Sequence, residues 1–169
     1  MKNETAVAHV RTELPWSLHS SRGWRAQFER ANRWYDRLIR TTNPQDAEDY
    51  LYAFFQAYYH LREWLLVSGY DRSAIERLFA ERVELRLCQD LCNLTKHFRL
   101  TRTPAMEIQP VIVREYVGPG RGWCEDDSVL VVLSRGAKYD ARQLASSCLG
   151  LWMTLLESDL RRGSDEYAF

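Results

Sequence analysis

Between Pro44 and Val67 the chain reads "PQDAEDYLYAFFQAYYHLREWLLV", with no glycine and no second proline. Phe54, Tyr58, Leu61 and Leu65 recur at helical spacing, so this stretch is an amphipathic helix with one apolar stripe. Its ends carry their own chemistry. Asn43 is a capping residue, Pro44 suits the first helical position, and Asp46, Glu48 and Asp49 complement the positive end of the helix dipole. Gly69 stops it. A long helix with an apolar stripe must bury that stripe against other elements, and the neighbouring sequence supplies mainly helices.

Trp24, Phe28, Tyr35 and Leu38 mark a preceding helix over about 22–41. Asp71 or Ser73 starts a further helical stretch that continues without Gly or Pro to Leu100. It reads as two helices with a bend near 80–83, or as one long helix. Pro104 closes it, and the period then changes to alternation. "IQPVIVREYVG" and "SVLVVLS", separated by "PGRGWCEDD", form a β-hairpin over about 108–134. The glycines at 118, 120 and 122 lack a following Lys-Ser/Thr, so they serve turns rather than a phosphate cradle. Asp140 and Gln143 stand in capping-box spacing before a last helix that runs to about 160, with Leu144, Cys148, Leu151, Trp152 and Leu155 on its buried face.

The expected fold is therefore mainly α: a four- to five-helix bundle with a β-hairpin inserted before the last helix, one domain over 22–161. An irregular arm over 1–21, pinned by Trp16, precedes it, and a loose tail over 162–169 follows. A length of 169 residues with 46% hydrophobic residues fits one such core. Lys+Arg and Asp+Glu both number 23, so no global charge drives the chain to nucleic acid or anionic membrane. No apolar window approaches a membrane span and no signal peptide opens the chain, so a cytoplasmic protein with no membrane partner is expected. Four cysteines are too few for a disulfide scaffold.

Two polar stripes flank the apolar ones. At about 100° per residue, Arg86, Asp90, Asn93 and His97 share a stripe beside the core face of Val83, Leu87, Leu91, Leu94 and Phe98. On the 44–67 helix, Asp49, Gln56, His60, Glu63 and Trp64 do the same. A boundary position is partly desolvated yet reachable, which suits a His that moves protons. Polar groups there also hydrogen-bond across helices simply to satisfy one another. His60, Glu63, Asp90 and His97 are metal-ligand types, but no Glu-x-x-His or His-x-x-x-His pair occurs on one helix and Cys88 and Cys92 point away from His97. No metal and no cofactor is therefore expected.

"CNLTKH", Cys92 to His97, resembles the signature of the HEPN superfamily of small helical-bundle proteins: an Arg, then a polar residue, three variable residues and a His. Asn93 matches the polar position and His97 the His, while Cys92 stands where the Arg belongs. "FFQAYYHLREW" is similar to the helix that precedes this signature in bacterial proteins of comparable length, and the resemblance covers about 22–100 and the final helix. For active members it implies a metal-independent ribonuclease, often dimeric, with the site at the subunit interface. His97 would then shuttle the proton of a ribose 2′-hydroxyl, assisted by Asn93, Lys96 and His60. A thiol cannot replace a guanidinium fork, and Lys96 and Arg86 are displaced from that position. The departure at Cys92 thus implies a non-cleaving member that works through protein association, as a homodimer or on a protein partner. The alternative is an endoribonuclease of a bacterial toxin or defence system.

RNA as a partner would need local basic surface. Arg22, Arg25, Arg30, Arg33, Arg37 and Arg40 face only Glu29 and Asp36 on the first helix, and Arg99 and Arg102 join Lys96 in a second cluster. A solvated helix face accounts for both clusters equally well.

Overall fold

The structure, a computed structural model, describes residues 23–96, 103–116 and 128–165. The expected arm, the glycines of the long loop, and Arg22, His97, Phe98, Arg99 and Arg102 lie outside the described residues, as do residues 166–169 of the tail. Five helices and three strands follow in the order α1 (Gly23–Arg40), α2 (Pro44–Val67), α3 (Arg72–Glu81), α4 (Val83–Lys96), β1 (Val111–Tyr116), β2 (Ser128–Ser134), β3 (Ala137–Asp140) and α5 (Ala141–Asp165). The protein is mainly helical, with a small antiparallel sheet before the last helix.

The caps behave as the sequence predicts. Asn43 Oδ1 accepts hydrogen bonds from the backbone N–H of Gln45 at 2.8 Å and Asp46 at 3.2 Å. At the far end Gly69 takes φ 90°, where a side chain would be strained, and the Tyr70 N–H donates to the Leu65 carbonyl at 3.1 Å. Asp71 caps α3 through the Ser73 N–H at 2.9 Å, and Asp140 caps α5 through the Gln143 N–H at 2.8 Å.

The helical stretch after Asp71 is two helices, joined at Arg82, whose backbone is extended. No Gly or Pro forces the break. On a continuous helix turning about 100° per residue, the buried Ile75 and Phe79 of α3 would point nearly opposite to the buried Cys88 and Leu91 of α4. One extended residue turns both faces inward. The buried face of α4 is also wider than the stripe Leu87–Leu91 predicts, because Leu85, Cys88 and Cys92 are covered as well.

The core is built on α2. Leu51, Phe54, Phe55, Tyr58, Leu61 and Leu65 are fully buried, each contributing about 1.5–3 kcal/mol relative to exposure. Phe54 and Tyr58 lie 4.3 Å apart between ring centroids, and Tyr35 of α1 approaches Phe54 at 5.9 Å. Two polar groups buried with them are satisfied across the α1–α2 seam: Tyr58 Oη donates to Asn32 Oδ1 at 2.8 Å, and Gln27 Nε2 donates to the Ala57 carbonyl at 2.9 Å. α5 closes the other side with Leu144, Cys148, Trp152 and Leu156, the Trp152 ring meeting Phe79 edge-on at 5.8 Å.

The expected two-stranded hairpin is a three-stranded sheet in the order β1-β2-β3. β2 turns back into β3 through Arg135 and Gly136, both at positive φ (53° and 75°), as a two-residue turn matched to strand twist requires. In the register, Ile112 faces Val132 and Arg114 faces Leu130, with Tyr139 on the other side of Val132. Ile112, Leu130, Val132 and Tyr139 pack on the helical core. The opposite face carries Val111, Val113, Val129, Val131 and Leu133. α5 ends at Asp165, about a turn beyond the expected limit.

Candidate functional site at the α2–α4 rim

α2 and α4 are neighbours, and their polar edge is closed by one side-chain contact. Gln56 Nε2 donates to Thr95 Oγ1 at 2.6 Å, and that hydroxyl donates back to the Cys92 carbonyl at 2.6 Å. Thr95 was not among the expected site residues. Its signal was faint, since a Thr one turn from a helix end reads as an ordinary end residue.

One turn further along α2, His60 Nδ1 stands 3.7 Å from Glu63 Oε2, with side-chain exposures of 31% and 73%. The imidazole is thus at the rim, reachable from solvent and beside a carboxylate. Tyr59 lies against it at 5.9 Å between centroids. Asp49 of the same expected stripe is exposed, and Trp64 half-buried.

Asp90 is used differently. Its carboxylate is buried and accepts the backbone N–H of Ala105 at 2.7 Å and of Met106 at 2.9 Å. It therefore fastens the chain after Pro104 onto α4. Burial raises the Asp90 carboxyl above its ordinary 3.8, while the two amides and the nearby Arg86 guanidinium pull the other way. Arg86 is half-buried, and its Nε is buried with no hydrogen-bond partner among the described residues. Asn93 is half-buried. Lys96 closes α4, so His97 follows directly on the last described turn.

The two polar stripes therefore do not meet as one groove over the described residues. Thr95 and Asp90 are about 140° apart around α4: the first meets Gln56 of α2, the second the segment at Ala105 and Met106. Among the described residues no group of three His, Cys, Asp or Glu side chains is placed to hold a metal ion. Cys88, Cys92 and Cys148 are buried. The Cys88 thiol donates to the Phe55 carbonyl at 3.5 Å and is pushed well above its ordinary range by burial and by contact with Cys148, which makes it a packing group rather than a nucleophile.

Two further surface features stand apart from this rim. A cavity of about 320 Å³ opens where the α1–α2 junction meets β2 and α5, lined by Thr41, Thr42, Ser128, Val129, Asp140 and Arg142 among others. Along α1, Arg25, Arg30, Arg33, Arg37 and Arg40 are all exposed. No helix among the described residues is long and apolar enough to cross a membrane. Comparison with protein-family models, with curated proteins and with solved structures gave no match to this chain.

Proposed function

We propose that this chain is an association module, non-catalytic in its main role, and that the outer face of its sheet seats a second copy of itself. The observation that carries this reading is where exposed apolar surface collects. Val111, Val129 and Leu133 keep 52%, 38% and 41% of their surface exposed around the covered Val131, on the sheet face opposite to Ile112, Val132 and Tyr139. Ile108, three residues before β1, is exposed too. A contiguous aliphatic face of this kind marks an interaction surface more than a solvated one. This face also carries both signs of charge: Lys138 of β3 pairs with Glu115 of β1 across the middle strand, and Arg135 pairs with Glu107. A face that mixes signs can meet its own two-fold copy without repulsion. The reading agrees with the association role that Cys92 implies in the HEPN-like signature.

Sedimentation equilibrium of wild type and Leu133→Lys tests it. Wild type is expected at twice its chain mass in the micromolar range, and the variant at single mass with an unchanged melting curve. A wild type that stays monomeric at all concentrations would falsify the reading.

A second reading, RNA cleavage without metal, rests on His60, which is open to solvent one turn from the Gln56–Thr95 contact that joins α2 to the end of α4. It expects purified protein to cut RNA in EDTA and His97→Ala or His60→Ala to abolish cutting. RNA left intact by concentrated protein removes it.

A further inference from the structure

We infer that the arginine line of α1 is a docking track for a single nucleic-acid strand, held through its phosphates. Arg30, Arg33, Arg37 and Arg40 follow one another at spacings of three, four and three, which confines them to an arc of about 80° along about 15 Å of helix. All four are exposed, whereas Gln27, Ala31 and Leu38 on the opposite face are buried. The line continues past the helix end: Arg142 of α5 is exposed and donates through Nη2 to the Thr41 carbonyl at 2.8 Å.

Two ordinary explanations of such a line fall short. Arginines in the last turn complement the helix dipole, which covers Arg37 and Arg40 but not Arg30 and Arg33. Ion pairing along the helix would be the other reason. Glu29 stands four residues before Arg33, and Asp36 four before Arg40, at the spacing where pairs form. Yet none of the four arginines closes an ion pair with a carboxylate among the described residues. The Arg37 guanidinium instead lies over the Trp34 ring, 4.7 Å from its centroid, which holds the cation in place and reduces the entropy lost on binding.

In a chain whose acids and bases balance at 23 each, this is a local accumulation. One row of cations on a convex helix fits one phosphate backbone rather than the two that flank a groove. The contacts read no bases, so binding is insensitive to sequence. Arg142, at the end of the track, lines one cavity with Val129 of the sheet, but Arg30, Arg33, Arg37 and Arg40 belong to α1 alone, and the α1 variants below test the track independently of the sheet face.

The experiment is fluorescence anisotropy of the full chain with a labelled oligodeoxythymidine of about 12 nucleotides, a length within the usual site size of single-strand tracks. That probe has no 2′-hydroxyl, so cleavage by the ribonuclease chemistry does not enter. Four phosphate contacts give a slope of log K against log salt near about −3, or roughly 60-fold weaker binding between about 50 and 200 mM salt. Arg33→Glu with Arg37→Glu should weaken binding at least about tenfold at low salt and halve the slope, with the melting curve unchanged. Arg77→Glu, equally exposed but on α3, should leave binding as it is. If the double reversal does not fold, Arg33→Gln with Arg37→Gln should show the same loss in smaller measure. Absence of binding at low salt, a slope near zero, or an unchanged double variant overturns the proposal. So does displacement of the oligonucleotide by polyglutamate at lower concentration than by unlabelled strand, which would assign the track to an acidic protein.

Discussion

Val132 and Leu133 are consecutive residues of β2, yet one is fully buried and the other keeps 41% of its surface exposed. Phe54 and Phe55 are consecutive in α2, and both are fully buried. The difference lies in how many sides each element is covered from. α2 packs on α1, α4, α5 and β2, so a helix turning about 100° per residue finds cover for adjacent side chains. The sheet has helices on one face, and alternation sends every second side chain to the other. Helical interior here is saturated with contacts, and the sheet is half finished. Function is sought where the molecule has left its own apolar surface unused.

This contrast can be broken by substitution. The largest effect is expected for Phe54→Ala, which removes a ring packed on Phe55, Tyr35 and Tyr58 and should cost about 3–5 kcal/mol, whereas Leu133→Ala should cost under about 1 kcal/mol. Urea unfolding of both compares them directly, and equal losses would erase the distinction. Next comes Asp90→Ala, which leaves the buried Met106 amide and its neighbour at Ala105 without an acceptor, for about 1–3 kcal/mol.

The charge state of Asp90 sharpens the comparison further. Its folded carboxyl titrates above the ordinary 3.8, so the folded state holds the proton more tightly than the unfolded one. The resulting stability is fully present below 3.8 and is lost as pH rises through the folded value. Wild type should therefore lose stability relative to Asp90→Asn as pH climbs from about 3 past that point, a trend read from thermal melts in steps of pH. The smallest effect is expected for Arg135→Ala, whose 3.2 Å pair with Glu107 is exposed on both sides and should contribute less than about 1 kcal/mol.

Much of the helical part was legible in the sequence because its punctuation is local. Asn43 with Pro44, Gly69, Asp71 and Asp140 each act within three or four residues of themselves, and each boundary falls where those side chains place it. What escaped is set by distance or by burial. The third strand depends on Arg135 at positive φ, which no arginine signals in advance. The break at Arg82 falls within the expected 80–83, but the choice between two helices and one long one is made by which faces of α3 and α4 are covered, information carried by the whole core. Within the candidate site, His60 and Gln56 stand at the expected rim, but the residue that Gln56 meets is Thr95. Asp90 read as a possible chemical group because its partners lie 15 and 16 residues away, beyond a proline.

The Asp90 carboxylate also has a mechanical meaning. The segment that enters β1 is moored to α4 by two N–H bonds on one side chain, so the sheet is hinged to the helix two residues before Cys92 and three before Asn93. This mooring is one of several ties between sheet and bundle, since Ile112, Leu130, Val132 and Tyr139 pack on the helices and Arg114 pairs with Glu48, but it is the one that fixes where the chain enters β1.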